Sequence, residues 1–205
     1  MNENYIYEYS DLLERILSCG VHFKVSEDHL EKMISKSIFF QEVEKSGNGF
    51  APIITDVELI NSIFVNNKFN LNDVPVYTMC LWASESYMRI QHHTGLTFEA
   101  IFLYMPLQDM YSNFNLYHEM DFSQIINLFQ KKYSEQTILE ILIDRFGYKL
   151  NEVSEITQIP YETIRSLKLR RRDFKKTNIE IVYKLASLFK VRVETIAELQ
   201  VKELF

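Results

Sequence analysis

LNEVSEITQIPYETIRSLKLRRRDFKKTNIEIVYKLASLFKVRVETIAEL, residues 150–199, holds two short amphipathic segments that meet at a turn. Val153, Ile156, Ile159, Ile164 and Leu167 recur at helical spacing with one interruption, between Gln158 and Tyr161. Pro160 lacks an N–H and has a fixed φ, so it ends the first segment and suits the first turn of the next. Glu162 then lies near the positive N-terminal end of that second helix. Beyond it, Arg165 to Lys176 carries seven basic residues against one acid. Such a cluster calls for a polyanion nearby, the plainer alternative being a solvated charged face.

These residues resemble the lambda-repressor-like, or XRE-type, helix-turn-helix domains over roughly 138–199. Ser154 falls where the family has a small residue midway through its second helix. Ile159 matches the apolar residue after the turn, and Thr163–Ile164 matches the Thr-Ile pair of the recognition helix. Leu185, Ala186, Phe189 and Val191 supply the later L-A-x-x-L/F-x-V helix, with Val193 and Ile196 continuing into the last one. The chain departs from the pattern at three places. Gln158 stands where the turn usually has Gly, Pro160 replaces the polar cap, and Leu150 occupies the position often held by a phosphate-touching Gln.

The resemblance implies a five-helix DNA-binding domain that docks its recognition helix in the major groove of double-stranded DNA. Tyr161, Glu162, Arg165, Ser166 and Lys168, opposite the apolar Ile164 and Leu167, are then the expected base contacts. Arg165 is the prime candidate, because Arg bonds guanine O6 and N7 together. Arg170, Arg171, Arg172, Lys175 and Lys176 are the expected contacts to the DNA backbone. Regulators of this type bind as homodimers, with half-sites about 34–36 Å apart. That implies a repressor-like transcription regulator.

Charge divides the chain at the same place. The whole has a net charge of −6, which taken alone argues against nucleic acid. Residues 1–135 hold nine Lys and Arg against eighteen Asp and Glu, whereas residues 136–205 hold thirteen against ten. An acidic module, 1–135, is therefore expected before a mildly basic helix-turn-helix module, 136–205. With 205 residues, 47% of them hydrophobic, the chain can bury a core of two modest domains. No run approaches the roughly 20 apolar residues of a membrane span, and MNENYIYEYSD lacks the features of a signal peptide, so a cytoplasmic protein is expected. Cys19 and Cys80 sit alone on apolar patterns and read as buried thiols, with no disulfide.

The acidic module reads as all-helical, which makes the whole fold all-α. Tyr5, Tyr9, Leu12, Leu13, Ile16 and Leu17 recur at helical spacing. So do Leu30, Met33, Ile34, Ser37 and Ile38, after a cap at Ser26. GNGFAP, residues 47–52, breaks the pattern, a run from Asp56 to Phe64 resumes it, and NNKFNLND forms a loop before Pro75. The short β-branched stretch Pro52 to Thr55 has no hairpin signal beside it. PVYTMCLWASESYMRIQHHTG ends at Gly95 as a helix does, Thr97 caps FEAIFLYM, Pro106 stops that run and opens the next, and Asp121 caps FSQIINLFQKKY. Phe39, Phe40, Tyr77, Trp82, Tyr87, Phe98, Phe102, Tyr104, Tyr111, Phe114 and Tyr117 have core-like spacing.

Chemistry is scarce in this module. His92, His93, His118, Glu119 and Asp121 are the candidate ligands, but neighbouring His92 and His93 diverge on a helix and no metal-site spacing is present. The two histidines suit the negative C-terminal end of their helix instead. There is no phosphate loop, no GxSxG and no Cys–His pairing, so no catalysis, metal or cofactor is expected. Two functional classes stay open. One is a DNA-binding regulator whose acidic module dimerises, senses a ligand or binds a protein partner. The other is an antitoxin- or inhibitor-type interaction protein whose acidic module neutralises a partner, with the helix-turn-helix serving docking or autoregulation.

Overall fold

A computed structural model describes residues 3–46, 55–64 and 74–200, all built from helices and connecting turns. The expected breaks at 47–52 and 66–73, and most of the stretch 52–55, lie outside the described residues. The acidic stretch 1–135 begins with α1 (Glu3–His22), α2 (Glu27–Lys36), α3 (Ile38–Ser46) and α4 (Asp56–Ile63). It continues through α5 (Thr78–Thr94), α6 (Phe98–Tyr104), α7 (Leu107–Ser112), α8 (Phe114–Tyr117) and α9 (Phe122–Glu135). Five α-helices follow, α10 (Ile138–Phe146), α11 (Leu150–Thr157), α12 (Tyr161–Lys168), α13 (Ile179–Phe189) and α14 (Val193–Ile196), with a 3-10 turn at Phe174–Lys176.

The helix ends follow local chemistry. Gly95 closes α5 at φ 68°, a left-handed conformation that costs Gly little. The Thr97 hydroxyl accepts from the Ala100 N–H, and Asp121 forms a reciprocal capping box with Gln124. Pro106 ends α6 and precedes α7. Ser26 holds the cap position of α2 without a side-chain cap bond. The stripe expected to run through Ser37 and Ile38 is corrected by a break. Ser37 is extended, and α3 turns so that Phe39 and Phe40 are buried while Ile38 is 78% exposed.

Helix α1 packs along α5, and α5 also meets α6, α7 and α9. Helix α6 is the hub. It touches α2, α5, α9, α10 and α14, and Phe98, Ile101, Phe102 and Tyr104 on it are all buried. A helix that is apolar on every face but the one carrying Glu99 belongs in the interior, where each large side chain contributes roughly 1.5–3 kcal/mol. Edge-to-face contacts link Phe40 to Phe98 and Tyr87 to Phe102, at centroid distances of 5.4 and 5.0 Å. Of the expected core aromatics, Phe39, Phe40, Tyr87, Phe98, Phe102 and Tyr104 are buried and the other five are partly covered. Burial raises the thiols of Cys19 and Cys80 to about 11, and both are free.

A buried polar seam joins the two halves across α6. The Glu44 carboxylate accepts from the Arg192 guanidinium at 2.8 and 2.9 Å and from the Phe98 N–H at 2.6 Å. Glu99 accepts from the Arg192 N–H and the Thr195 hydroxyl, and Thr195 meets Thr97 at 2.8 Å. Full burial raises Glu44 above the ordinary carboxylate range even against the Arg192 and Phe98 donors.

Glu31 is a second buried carboxylate. It is 5% exposed and accepts from the Leu107 N–H at the start of α7. Burial pushes it up to about 7, with the Leu107 N–H and the Arg145 charge opposing. Between about pH 4.5 and 7 the folded chain therefore holds a proton that the unfolded chain has released, so stability falls as pH rises through that window. Glu31→Gln keeps the acceptor but removes the ionisation. It is expected to flatten that slope and to gain up to about 3 kcal/mol over the parent at pH 8, read by urea unfolding. Equal pH profiles for the two chains refute it.

Candidate nucleic-acid interface

Helices α11 and α12 meet at a turn that the residues themselves explain. Gln158 takes the left-handed conformation at φ 57°, so a side chain stands where the pattern usually has Gly. The Ser154 hydroxyl donates to the Ile159 carbonyl at 2.6 Å, and the Thr157 hydroxyl donates to the Val153 carbonyl while accepting from the Ile159 N–H. The first of these bonds needs a side-chain hydroxyl at 154, which Ser supplies. Pro160 stands one place before α12, as its cap, with carbonyl bonds to the N–H groups of Thr163 and Ile164. Val153, Ile159, Ile164 and Leu167 are buried, and these contacts fix α12 against α10 and α11.

The outward face of α12 carries Tyr161, 43% exposed, with Glu162 and Arg165 also exposed. Arg165 lies 3.6 Å from Glu162, an exposed pair of little strength that a better acceptor would displace. Ser166 is half-buried, and its carbonyl accepts from the N–H groups of Arg171 and Arg172. Lys168 turns toward α10, where it pairs with Glu140 at 3.2 Å, so its charge is already engaged. Thr137 caps α10 through the Glu140 N–H and donates to the Lys168 carbonyl, and neither of these supports was expected.

Arg170 departs from the expected DNA-backbone set. It occupies the left-handed position after α12 at φ 53°, where the Arg171 N–H reaches the Ser166 carbonyl and the Arg170 N–H the Leu167 carbonyl. That conformation costs a residue with a Cβ about 1–2 kcal/mol. The guanidinium is held inward, pairing with Glu198 at 2.9 Å, donating to the carbonyls of Tyr133 and Gln136, and lying over the Tyr133 ring. Burial acts to lower the Arg170 pKa, but the Glu198 charge together with the Tyr104 and Tyr133 hydroxyls outweighs it, so the guanidinium titrates above its ordinary range. Arg170 is thus a link between the halves, not a free cation.

The rest of the basic segment stays outside. Arg171, Arg172, Lys175 and Lys176 are exposed on tight turns flanking Phe174, whose ring is buried. Asp173 caps the 3-10 turn through the Lys175 N–H at 2.8 Å. Arg171, Arg172 and Lys176 have no acidic partner within 4.0 Å among the described residues. The structure therefore groups Tyr161, Glu162 and Arg165 on one helix face beside an exposed basic turn, and withdraws Lys168 and Arg170.

The candidate ligands within residues 1–135 have other partners. His93 meets Gln130 at 2.9 Å, His118 bonds the Phe114 carbonyl, and Asp121 is in its capping box. Among the described residues no three His, Cys, Asp or Glu side chains are gathered as metal ligands, and no helix is long and apolar enough to cross a membrane. Compared with protein-family models, with curated proteins and with solved structures, the chain matches none.

Proposed function

We propose that this chain is a repressor-like DNA-binding regulator that lays α12 in the major groove of double-stranded DNA. The observation that carries the reading is the exposed face of α12, set by a pinned turn and continued by a basic turn without ion partners at Arg171, Arg172 and Lys176. Arg165 reaches a base edge, and the basic turn follows the phosphates. The acidic module supplies the dimer contact, since one short recognition helix covers only a few base pairs. Tyr7 and Leu81, exposed on α1 and α5, are apolar groups suited to that contact.

Selection of bound sites from a random duplex library tests this. Two half-sites about one helical turn apart are expected. Replacing Arg171 and Arg172 by Ala should weaken binding to every sequence and flatten the salt dependence by roughly one phosphate contact each. Replacing Arg165 by Ala should relax preference at one position, by about 1–3 kcal/mol. Variants that bind like the parent would reject the docking. A basic protein that copurifies stoichiometrically, with no retention on DNA, would replace this reading by that of an antitoxin-like interaction protein.

A further inference from the structure

A cleft of about 540 Å³ opens between the two modules, walled by α2 and α6 on one side and by α10 and the end of α13 on the other. Phe146, 46% exposed, and the half-buried Val191 line it with apolar surface, backed by the buried Phe102, Leu142 and Phe189. Lys32 and Lys36, one helical turn apart on α2, face it together with Arg145 at the end of α10 and Lys190 just after α13. None of these four cations has an ion partner within 4.0 Å among the described residues.

The acids that share the cleft do not cancel this charge. Both hydrogen bonds to Glu99 Oε2 come from the seam, from the Arg192 N–H and the Thr195 hydroxyl. Glu31 feels the Arg145 charge, but it is buried, accepts from the Leu107 N–H, and is pushed by burial toward its neutral form. Asp28 alone is an exposed acid beside four exposed cations. An apolar hollow of this size, rimmed by convergent charges of one sign, has the build of a small-molecule site.

We infer that the cleft binds a small amphipathic anion, with an aromatic or aliphatic body on Phe146 and Val191 and a carboxylate, sulfonate or phosphate held by Lys36 and Arg145. Inorganic phosphate alone leaves the apolar wall uncovered, and a neutral apolar molecule leaves the cations unanswered. The ligand touches both modules, so it stabilises their mutual packing by mass action. The inference does not depend on DNA binding.

Fluorescence titration of the full chain with 8-anilinonaphthalene-1-sulfonate tests it, with N-phenyl-1-naphthylamine as the same body without the charge. One sulfonate probe per chain is expected, bound at least about tenfold more tightly than the neutral one, since hydrogen bonds to charged groups are the strong ones. The double variant Lys36→Ala with Arg145→Ala should lose at least about tenfold in probe affinity and the probe's upward shift of the thermal midpoint. Lys36→Arg should retain both. If the double variant proves unstable, the single exposed change Lys36→Glu gives the same readout. Equal binding of the two probes, several weak sites, or unchanged binding by these charge-removing variants overturns the inference.

Discussion

Arg192→Ala is expected to destabilise the chain by about 3–5 kcal/mol, as removal of one partner from a buried ion pair does. Glu44 stays behind at 0% exposure, with the Phe98 N–H as its remaining donor in the seam. Without the guanidinium its carboxyl rises further above its ordinary range, so the folded variant takes up a proton that the unfolded chain lacks. The deficit should therefore be larger at pH 8 than at pH 5. Replacing both partners, Glu44→Gln with Arg192→Met, should recover much of the loss, because no charge is left buried. Urea unfolding at both pH values of the parent, Arg192→Ala, the single variants Glu44→Gln and Arg192→Met, and their double variant measures the coupling. Additive effects of the two single changes would show that the pair does not act as a unit.

Arg170→Ala should behave as a stability variant, in contrast to the replacement of Arg171. Glu198 is 9% exposed and would lose its ion partner. Arg170 itself keeps about a third of its side chain in water, so solvent screening reduces the loss to about 2 kcal/mol. Arg171→Ala removes an exposed charge and should leave unfolding within about 0.5 kcal/mol of the parent. At temperatures where both variants are folded, Arg170→Ala should keep the parent's salt slope on DNA and Arg171→Ala should not. A normal unfolding midpoint for Arg170→Ala together with a flattened salt slope would return Arg170 to the DNA-backbone set.

Local signals carried the helices well and said little about what locks them. Gly95, Thr97, Pro106 and Asp121 each mark an end by a mechanism that acts within four residues, and each lies at the end expected of it. The break at Ser37 has no such signal. The structure places Phe39 and Phe40 inside and leaves Ile38 out, a choice made by tertiary burial and not by spacing. In the basic segment three successive arginines look alike, yet the first is tied to an acid 28 residues away, a pairing that sequence periodicity does not encode. Ser154 was legible as a small residue, while its bond across the turn needed coordinates.

The seam also sets an order on synthesis. Arg192 lies 148 residues after Glu44, so a chain growing at about 5–20 residues per second leaves that acid without its partner for roughly 7–30 s. During that interval the emerging acidic half must keep Glu44 hydrated or protonated, and α6 shows the surface later covered by α10 and α14. Closure of the nascent chain around Glu44 is consequently a late event that waits for Arg192 to arrive.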